Sequence, residues 1–382
     1  MRVVHIVRQY HPSIGGLEEV VRQLAGEQRG LGYQVRVATL DRIFSAPAKT
    51  LAPREMIGGV EVARLPFRGS SRYPIALSVL GEIADADLVH VHAVDFFFDF
   101  LAATKWLHGR PLVATTHGGF FHTRADSILK QLWFRTATRW SAARYDAIVA
   151  CSRSDLALFQ PIARDNLRLI ENGVDVGKFT GASSPTATKH VVTIGRFSSN
   201  KRLDRLLDTM RLLTARDPAW RLSILGSPSD WTSARLAAEI ASRALDAHVT
   251  VHVSPDNAAV RAALGQASLF ASASEHEGFG LVLVEALSAG LLPVVHGNAA
   301  FRTLAPRLPL ATLTDFANPA EAAAALETQY ADLARNVDEL RAQAAASVRA
   351  FSWPQVAARY AGVYGAVLEP GFGTLAARPS PS

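Results

Sequence analysis

The chain has 382 residues, 49% of them apolar and 19% charged; this excludes a disordered or fibrous protein and is too long for one ordinary core, so two domains are expected. A single cysteine, Cys151, excludes a disulfide framework and a multi-cysteine metal site. Lys and Arg total 40 against 34 for Asp and Glu, and the surplus lies between Leu101 and Tyr145, where seven basic residues face one acid, Asp126. Such a patch favours an anionic partner: nucleic acid, lipid headgroups or a phosphorylated small molecule. No apolar run reaches about 18 residues, and the opening run is broken at Arg8, so neither a spanning helix nor a secretory signal is expected and the protein is read as cytoplasmic.

Short β-branched runs at Val3–Val7, Gln34–Thr39, Leu88–Val91, Leu112–Thr115 and Ala147–Ala150 predict strands buried on both faces. Helical spacing separates them at Leu17–Leu31, Phe96–Leu107 and Ser127–Ala143. The Gly, Ser, Thr and Pro enrichment over Val174–His190 predicts a linker. A second series follows, with strands at Val191–Gly195, Arg221–Leu225, Val249–Val253, Leu269–Ala271 and Leu292–Val295. Its helices are expected at Arg202–Ala215, Thr232–Ala244, Leu281–Ala289 and Ala320–Arg349, with a last amphipathic stretch at Trp353–Leu368 and a disordered tail over 370–382. Alternation of this kind predicts an α/β class with two Rossmann-like parallel-sheet domains facing across a cleft, where strand C-terminal ends bind ligands.

The richest segment is Ser274–Val295. A strand runs into Gly278-Phe279-Gly280 and then a helix opening near Leu281. Paired glycines admit close backbone approach, and the unpaired N–H groups of a helix start favour an anion such as a diphosphate. Glu277 and Glu285 flank this turn, suited to the hydroxyls of a sugar and of a ribose. Their spacing alone carries little, because Glu19 and Glu27 are also eight apart; the flanking glycines supply the specificity. In Gly195–Leu203, Arg196 offers a planar fork of donors and Lys201 a point charge, a pair fit for two phosphates, or else a solvated surface loop.

Gly15-Gly16 lies between the first strand and helix as a second phosphate-cradling turn or a tight connection. It is not the Gly-x-Gly-x-x-Gly of nicotinamide enzymes. His117, after a strand and before two glycines, can hydrogen-bond a sugar hydroxyl or stabilise developing charge. His122, His90, His92 and Asp95 are weaker candidates, and no His, Asp or Glu set has metal-binding spacing.

Together, Gly15-Gly16, His117, Glu171–Asp175, Arg196 with Lys201 and the Glu277–Glu285 box resemble the retaining GT-B glycosyltransferases of family 4. Within that family, His11–Gly16, Gly69–Ile75 and Thr116–Thr123 are similar to the α-1,3-mannosyltransferases of xanthan- and acetan-type exopolysaccharide assembly. One departure is visible: Arg202 stands where the family usually has glycine, adding a phosphate contact or altering that turn.

The resemblance implies transfer of mannose from GDP-mannose to cellobiosyl-diphospho-polyprenol with retention. Residues 1–177 would bind acceptor, with the 353–368 helix packing back on them, and residues 189–350 would bind donor. Arg196, Lys201 and the helix start at Gly280–Leu281 would stabilise the departing diphosphate in place of a divalent metal, so no cofactor is expected. Glu277 would hold the sugar, Glu285 the ribose and His117 the transferred sugar; Gly16, Gly278 and Phe279 complete the donor contacts. In Ser127–Arg144, Ile128, Leu129, Leu132, Trp133 and Trp140 share one helical face bordered by Arg135 and Arg139, with Lys130 nearby. That suits peripheral contact with an anionic membrane, or else a core face edged by snorkelling arginines. Another donor such as UDP-glucose on a different acceptor, or a sugar-nucleotide epimerase, would share the architecture. A nucleic-acid binder lacks its aromatic signature, zinc module or long basic stripe.

Overall fold

The computed structural model describes residues 1–71, 73–118, 132–277 and 279–369. It divides into two compact units, Met1–Gly173 with the chain from Trp353 onward, and Val174–Ser352.

The first unit is built on an eight-stranded sheet. Its strands include β1 (Arg2–Ile6), β2 (Gln34–Leu40) and, after the small hairpin β3 (Arg42–Ile43) and β4 (Ala46–Thr50), β5 (Arg54–Ile57) and β6 (Val60–Leu65). A second hairpin, β7 (Arg68–Ser70) and β8 (Tyr73–Ile75), precedes β9 (Leu88–His92), β10 (Leu112–Thr115), β11 (Ala147–Ala150) and β12 (Leu167–Leu169). The sheet order is β12-β11-β10-β9-β1-β2-β6-β5, parallel except for β5. The central strands β1, β9, β10 and β11 are buried along almost their whole length, as strands covered on both faces must be. The strand order reverses at β1 and β9, so loops leaving their C-terminal ends border the crevice where such sheets bind ligands.

The helix Trp353–Leu368 completes this unit. Trp353, Val356, Tyr360 and Tyr364 pack with Val3, Leu24 and Leu88 in one buried cluster. Gly173 makes room for it: a Cβ there would lie 2.5 Å from the Trp353 ring.

The second unit has a six-stranded parallel sheet: β13 (His190–Ile194), β14 (Arg221–Gly226), β15 (Val249–Val253), β16 (Leu269–Ser272), β17 (Leu292–His296) and β18 (Thr312–Thr314). Its order, β15-β14-β13-β16-β17-β18, reverses between β13 and β16. β15 is the edge strand and is only partly buried.

Other expectations are revised by local physics. Segment Val174–His190 is packed rather than a free linker: Phe179 and Ala182 are buried, and Ser183 N and Ser184 N donate to the carbonyls of Ala289 and Ala267. By packing, the chain passes from the first compact unit to the second at Gly173–Val174. Phe96–Leu107 is two helices, Phe96–Ala103 and Lys105–His108. Ala320–Arg349 also breaks, at Asn336, into Pro319–Arg335 and Val337–Ser347. The expected tail over 370–382 lies outside the described residues.

Candidate functional site

In the second unit, the loops leaving β13 and β16 meet. Gly226, ending β14, is packed so closely that a Cβ would fall 1.8 Å from the Gly195 carbonyl oxygen, and a Cβ on Gly195 would fall 2.8 Å from Lys201 Cε. Glycine at both positions therefore seats the Lys201 chain against the sheet end. Lys201 Nζ donates to Glu277 Oε1 at 2.7 Å, and both side chains are largely shielded from solvent. Asn200 stitches the loops together: its Nδ2 donates to the His276 carbonyl, its Oδ1 accepts from His276 N, and its carbonyl accepts from Glu275 N.

Past Glu277 the chain reaches Gly280 at φ +79, the left-handed N-cap of the helix Leu281–Ser288, with no side-chain cap. A Cβ at Gly280 would meet the Phe301 ring at 3.0 Å, so conformation and packing both require glycine. The first N–H groups of that helix are consequently offered to a ligand or solvent. Phe279 packs on the apolar core, while Leu281 is exposed. Gly278, expected between them, lies outside the described residues. Glu285 is mostly buried, and burial raises its pKa, against the attraction of Lys178. Lys178 follows the Asp175 turn, where Asp175 Oδ1 accepts from Gly177 N and Lys178 N at 3.1 Å each; its nearness to Glu285 was not apparent from the motif.

Arg196, next in the chain to Gly195, is exposed and makes no hydrogen bond or ion pair among the described residues. Arg202 is not a spare cation. It donates to Asp204 and, through Nη1, to Glu275 at 2.5 Å, and it adopts φ +46, ψ +48. That left-handed conformation is the physical reason for the family's glycine, and here the two carboxylates hold an arginine in it.

In the first unit, His117 leaves β10 at φ +54, followed by Gly118 at φ +67. A strained, left-handed histidine persists only where its surroundings over-determine it. Asp155 does much of this, accepting from Thr116 Oγ1 at 2.7 Å and Gly118 N at 2.9 Å. Burial, with Asp155 alongside, pushes the Cys151 thiol up, which makes it an inert core residue. His117 itself is half-buried, and desolvation lowers its pKa to about 4 despite the attraction of Asp155, so it is neutral at pH 7.

Sequence spacing missed a cluster that the sheet assembles: His5 from β1 with His90 and His92 from β9, all buried, their ligand atoms within 4.8 Å of one another. Two residues apart on β9 and across the parallel pairing from β1, they share one face of the sheet. Asp95 is a structural residue: it caps the helix Phe96–Ala103 through Phe97 N and pairs with Arg8 at 3.0 Å. Gly16 opens the helix Gly16–Gly30 at the surface, and a Cβ there would meet nothing within 4 Å.

The helix that was expected over Ser127–Ala143 is described from Leu132, and its Phe134–Thr138 turn is π-helical. The wider turn buries Phe134 and Thr138 and leaves Leu132, Trp133 and Trp140 at 59%, 48% and 47% exposure. The expected alternative of an aromatic core face therefore fails for these three. Arg135 and Arg139 are exposed alongside them. Trp106 and Leu107, at 84% and 60% exposure, lie on a neighbouring helix tied by Lys105 Nζ to the Arg144 carbonyl. Lys130 and His122 lie outside the described residues. No helix among the described residues is long and apolar enough to cross a membrane.

Two parallel-sheet units whose switch points carry a cation–glutamate loop and a histidine define the GT-B class of sugar-transferring enzymes, and solved structures share the fold. HepE of Anabaena, solved with UDP, superposes with a TM-score of 0.70 at 18% identity, covering 96% of this chain and 100% of that one. A glycosyltransferase from Rickettsia africae gives 0.69 at 17% identity, covering 97% and 99%. The family model Glycosyltransferase Family 4 matches residues 14–178 and the model Glycosyl transferases group 1 matches residues 180–343. The chain belongs to glycosyltransferase family 4.

Among its relatives, the GDP-mannose:cellobiosyl-diphosphopolyprenol alpha-mannosyltransferase of Xanthomonas campestris is 43% identical over 96% of this chain and 97% of its own. The enzyme of the same name from Komagataeibacter xylinus is 41% identical over 96% and 94%. The phosphatidyl-myo-inositol mannosyltransferase of Mycobacterium tuberculosis is 28% identical over 92% and 93%.

Proposed function

We propose that this protein transfers mannose from GDP-mannose to cellobiosyl-diphosphopolyprenol, forming an α-1,3 linkage with retention at the anomeric carbon. The observation that carries this reading is the 43% identity, along nearly the whole of both chains, to an enzyme named for that donor and acceptor. The bond from C1 to the diphosphate breaks as the bond from C1 to the acceptor oxygen forms on the same face. The acceptor's proton passes to the departing diphosphate, so no carboxylate base is needed.

Catalysis is then positioning plus stabilisation of leaving-group charge. Lys201 can do two things at once: one of its three hydrogens meets Glu277 Oε1 and the others remain for a phosphate. Glu277 keeps its second oxygen for a sugar hydroxyl. Arg196 and the helix start after Gly280 add a fork of donors and a dipole end. Glu285 serves the ribose and His117 the mannosyl hydroxyls. No divalent ion has a role in this reading, so activity should survive EDTA.

The exposed Trp133, Trp140, Arg135 and Arg139, joined by Trp106, suit contact with an anionic leaflet that presents the lipid acceptor. Flotation with anionic liposomes tests this: binding lost when Trp106, Trp133 and Trp140 become Ser supports it, and unchanged binding refutes it. The reaction is tested by a donor screen against synthetic cellobiosyl-diphospho-lipid, with linkage read by NMR. Turnover with UDP-glucose and none with GDP-mannose would overturn the substrate while leaving the fold untouched.

A further inference from the structure

Behind His117 runs a file of buried polar side chains that hydroxyl binding does not by itself require. His117 Nε2 meets His92 Nδ1 at 2.9 Å, His92 Nε2 meets His5 Nδ1 at 2.8 Å, and His5 Nε2 meets Gln28 Oε1 at 2.7 Å. His5 and Gln28 are wholly buried and His92 almost so. An amide oxygen only accepts, so His5 must carry its proton on Nε2. Its Nδ1 is then a lone pair, which requires an N–H on His92 Nε2. The same argument leaves His92 Nδ1 as an acceptor and requires the proton of His117 on Nε2.

The far end of the file is anchored on the C-terminal helix. Gln28 Nε2 donates to the Tyr364 hydroxyl at 2.9 Å; with that hydroxyl's own proton given to His90 Nδ1, only its lone pair is left for Gln28, and the amide keeps its oxygen toward His5. Tyr364 in turn lies 2.7 Å from His90 Nδ1, and His90 Nε2 lies 2.8 Å from Thr115 Oγ1. All six ring nitrogens of His5, His90 and His92 thus have partners, and a metal ion among them would have to break these bonds. Burial keeps the file uncharged: desolvation lowers His5 to about 4 and takes His92 well below the ordinary histidine range. His117 Nδ1 makes no hydrogen bond among the described residues.

We propose that Gln28, His5 and His92 are positioning residues that lock His117 in the neutral Nε2–H tautomer, so that its Nδ1 is offered to a ligand solely as a hydrogen-bond acceptor. A lone pair there attracts a hydroxyl and repels a phosphate oxygen, which selects an unphosphorylated sugar at this position. The use of that acceptor rests on the glycosyl-transfer reading above. The tautomer does not.

The test is long-range proton–nitrogen NMR on protein labelled with nitrogen-15 in histidine, the His117 signals being assigned by their loss in His117→Asn. A neutral Nε2–H pattern at pH 7 is expected. An Nδ1–H pattern, an even mixture or an imidazolium overturns the proposal. Tyr364→Phe, which removes only the hydroxyl that orients Gln28, should introduce a second tautomer at His117; a single unchanged tautomer there also overturns it. In turnover, His92→Leu should lower kcat/KM about threefold, part of the worth of one hydrogen bond, and His92→Gln, whose amide can accept from His117 and donate to His5, should restore most of it. Equal losses in both variants overturn the positioning role. A wrong assignment of donor or acceptor would leave every NMR outcome intact, so the two readings fail separately.

Discussion

At the end of β13 and β16 the polar groups are charged and already held against one another, Lys201 on Glu277 and Arg202 on Glu275 and Asp204. At the end of β1, β9 and β10 they are buried, uncharged imidazoles joined ring to ring. Both units place these groups at the same topological position, where the strand order reverses. Under the proposed function, the difference matches what each would stabilise. A diphosphate needs countercharge that stays ionised, and partial exposure with paired carboxylates keeps it so. Neutral hydroxyls need directed donors and acceptors, and deep burial supplies these while suppressing charge.

Breaking the charged half should have the largest effect. Lys201→Ala removes a cation from the developing charge, and Arg196→Ala removes another; each loss of about 2–4 kcal/mol of transition-state stabilisation lowers kcat/KM at least tens-fold. Near-normal steady-state rates for both would sink the assignment. On the neutral side the effect should be smaller: His117→Ala is expected to lower kcat/KM by roughly tenfold, the worth of a hydrogen bond, and a thousandfold loss would mean that this imidazole handles charge or a proton after all.

Stability against pH sharpens the same contrast. His5 and His117 have folded-state pKa values lowered from 6.5 to about 4. Between those values the unfolded chain binds more protons, so their contribution is complete above about pH 6.5 and is lost as pH falls toward 4. Glu285, whose pKa is raised, acts with the opposite sign in the second unit. Melting followed from pH 7.5 to 4 should therefore show a falling Tm below about pH 6.5; a Tm flat to pH 4.5 contradicts the neutral cluster. The smallest effect is expected from Arg202→Gly. Relief of the left-handed strain, about 1 kcal/mol, offsets the lost partly exposed ion pairs, so Tm and donor KM should change little. A tenfold rise in donor KM would instead make Arg202 a phosphate contact.

Much of the charged site was legible in the chain because its parts are local. Gly278–Gly280, Glu277 and Glu285 lie within one strand-loop-helix passage, and Lys201 follows its strand by seven residues. Arg202 was visible as a departure, but its partners Asp204 and Glu275 depend on how two loops meet. The histidine file was not legible. His5, Gln28, His92, His117 and Tyr364 come from five separate parts of the chain, and nothing in their spacing marks them as neighbours. The helical spacing offered Trp133 and Trp140 as either an exposed face or a core face, and only the packing of Phe134 and Thr138 beneath them decided for exposure.

Alternating apolar periodicity and glycine-marked turns determined two parallel-sheet units and the loop residues at their strand ends, since strands, caps and tight turns are short-range consequences of side-chain shape. Which cations are already paired, which imidazoles are neutral, and which nitrogen of His117 holds the proton were decided only by tertiary structure. Those properties depend on desolvation and on partners within about 3 Å, and chain spacing alone does not supply distances between residues on different elements.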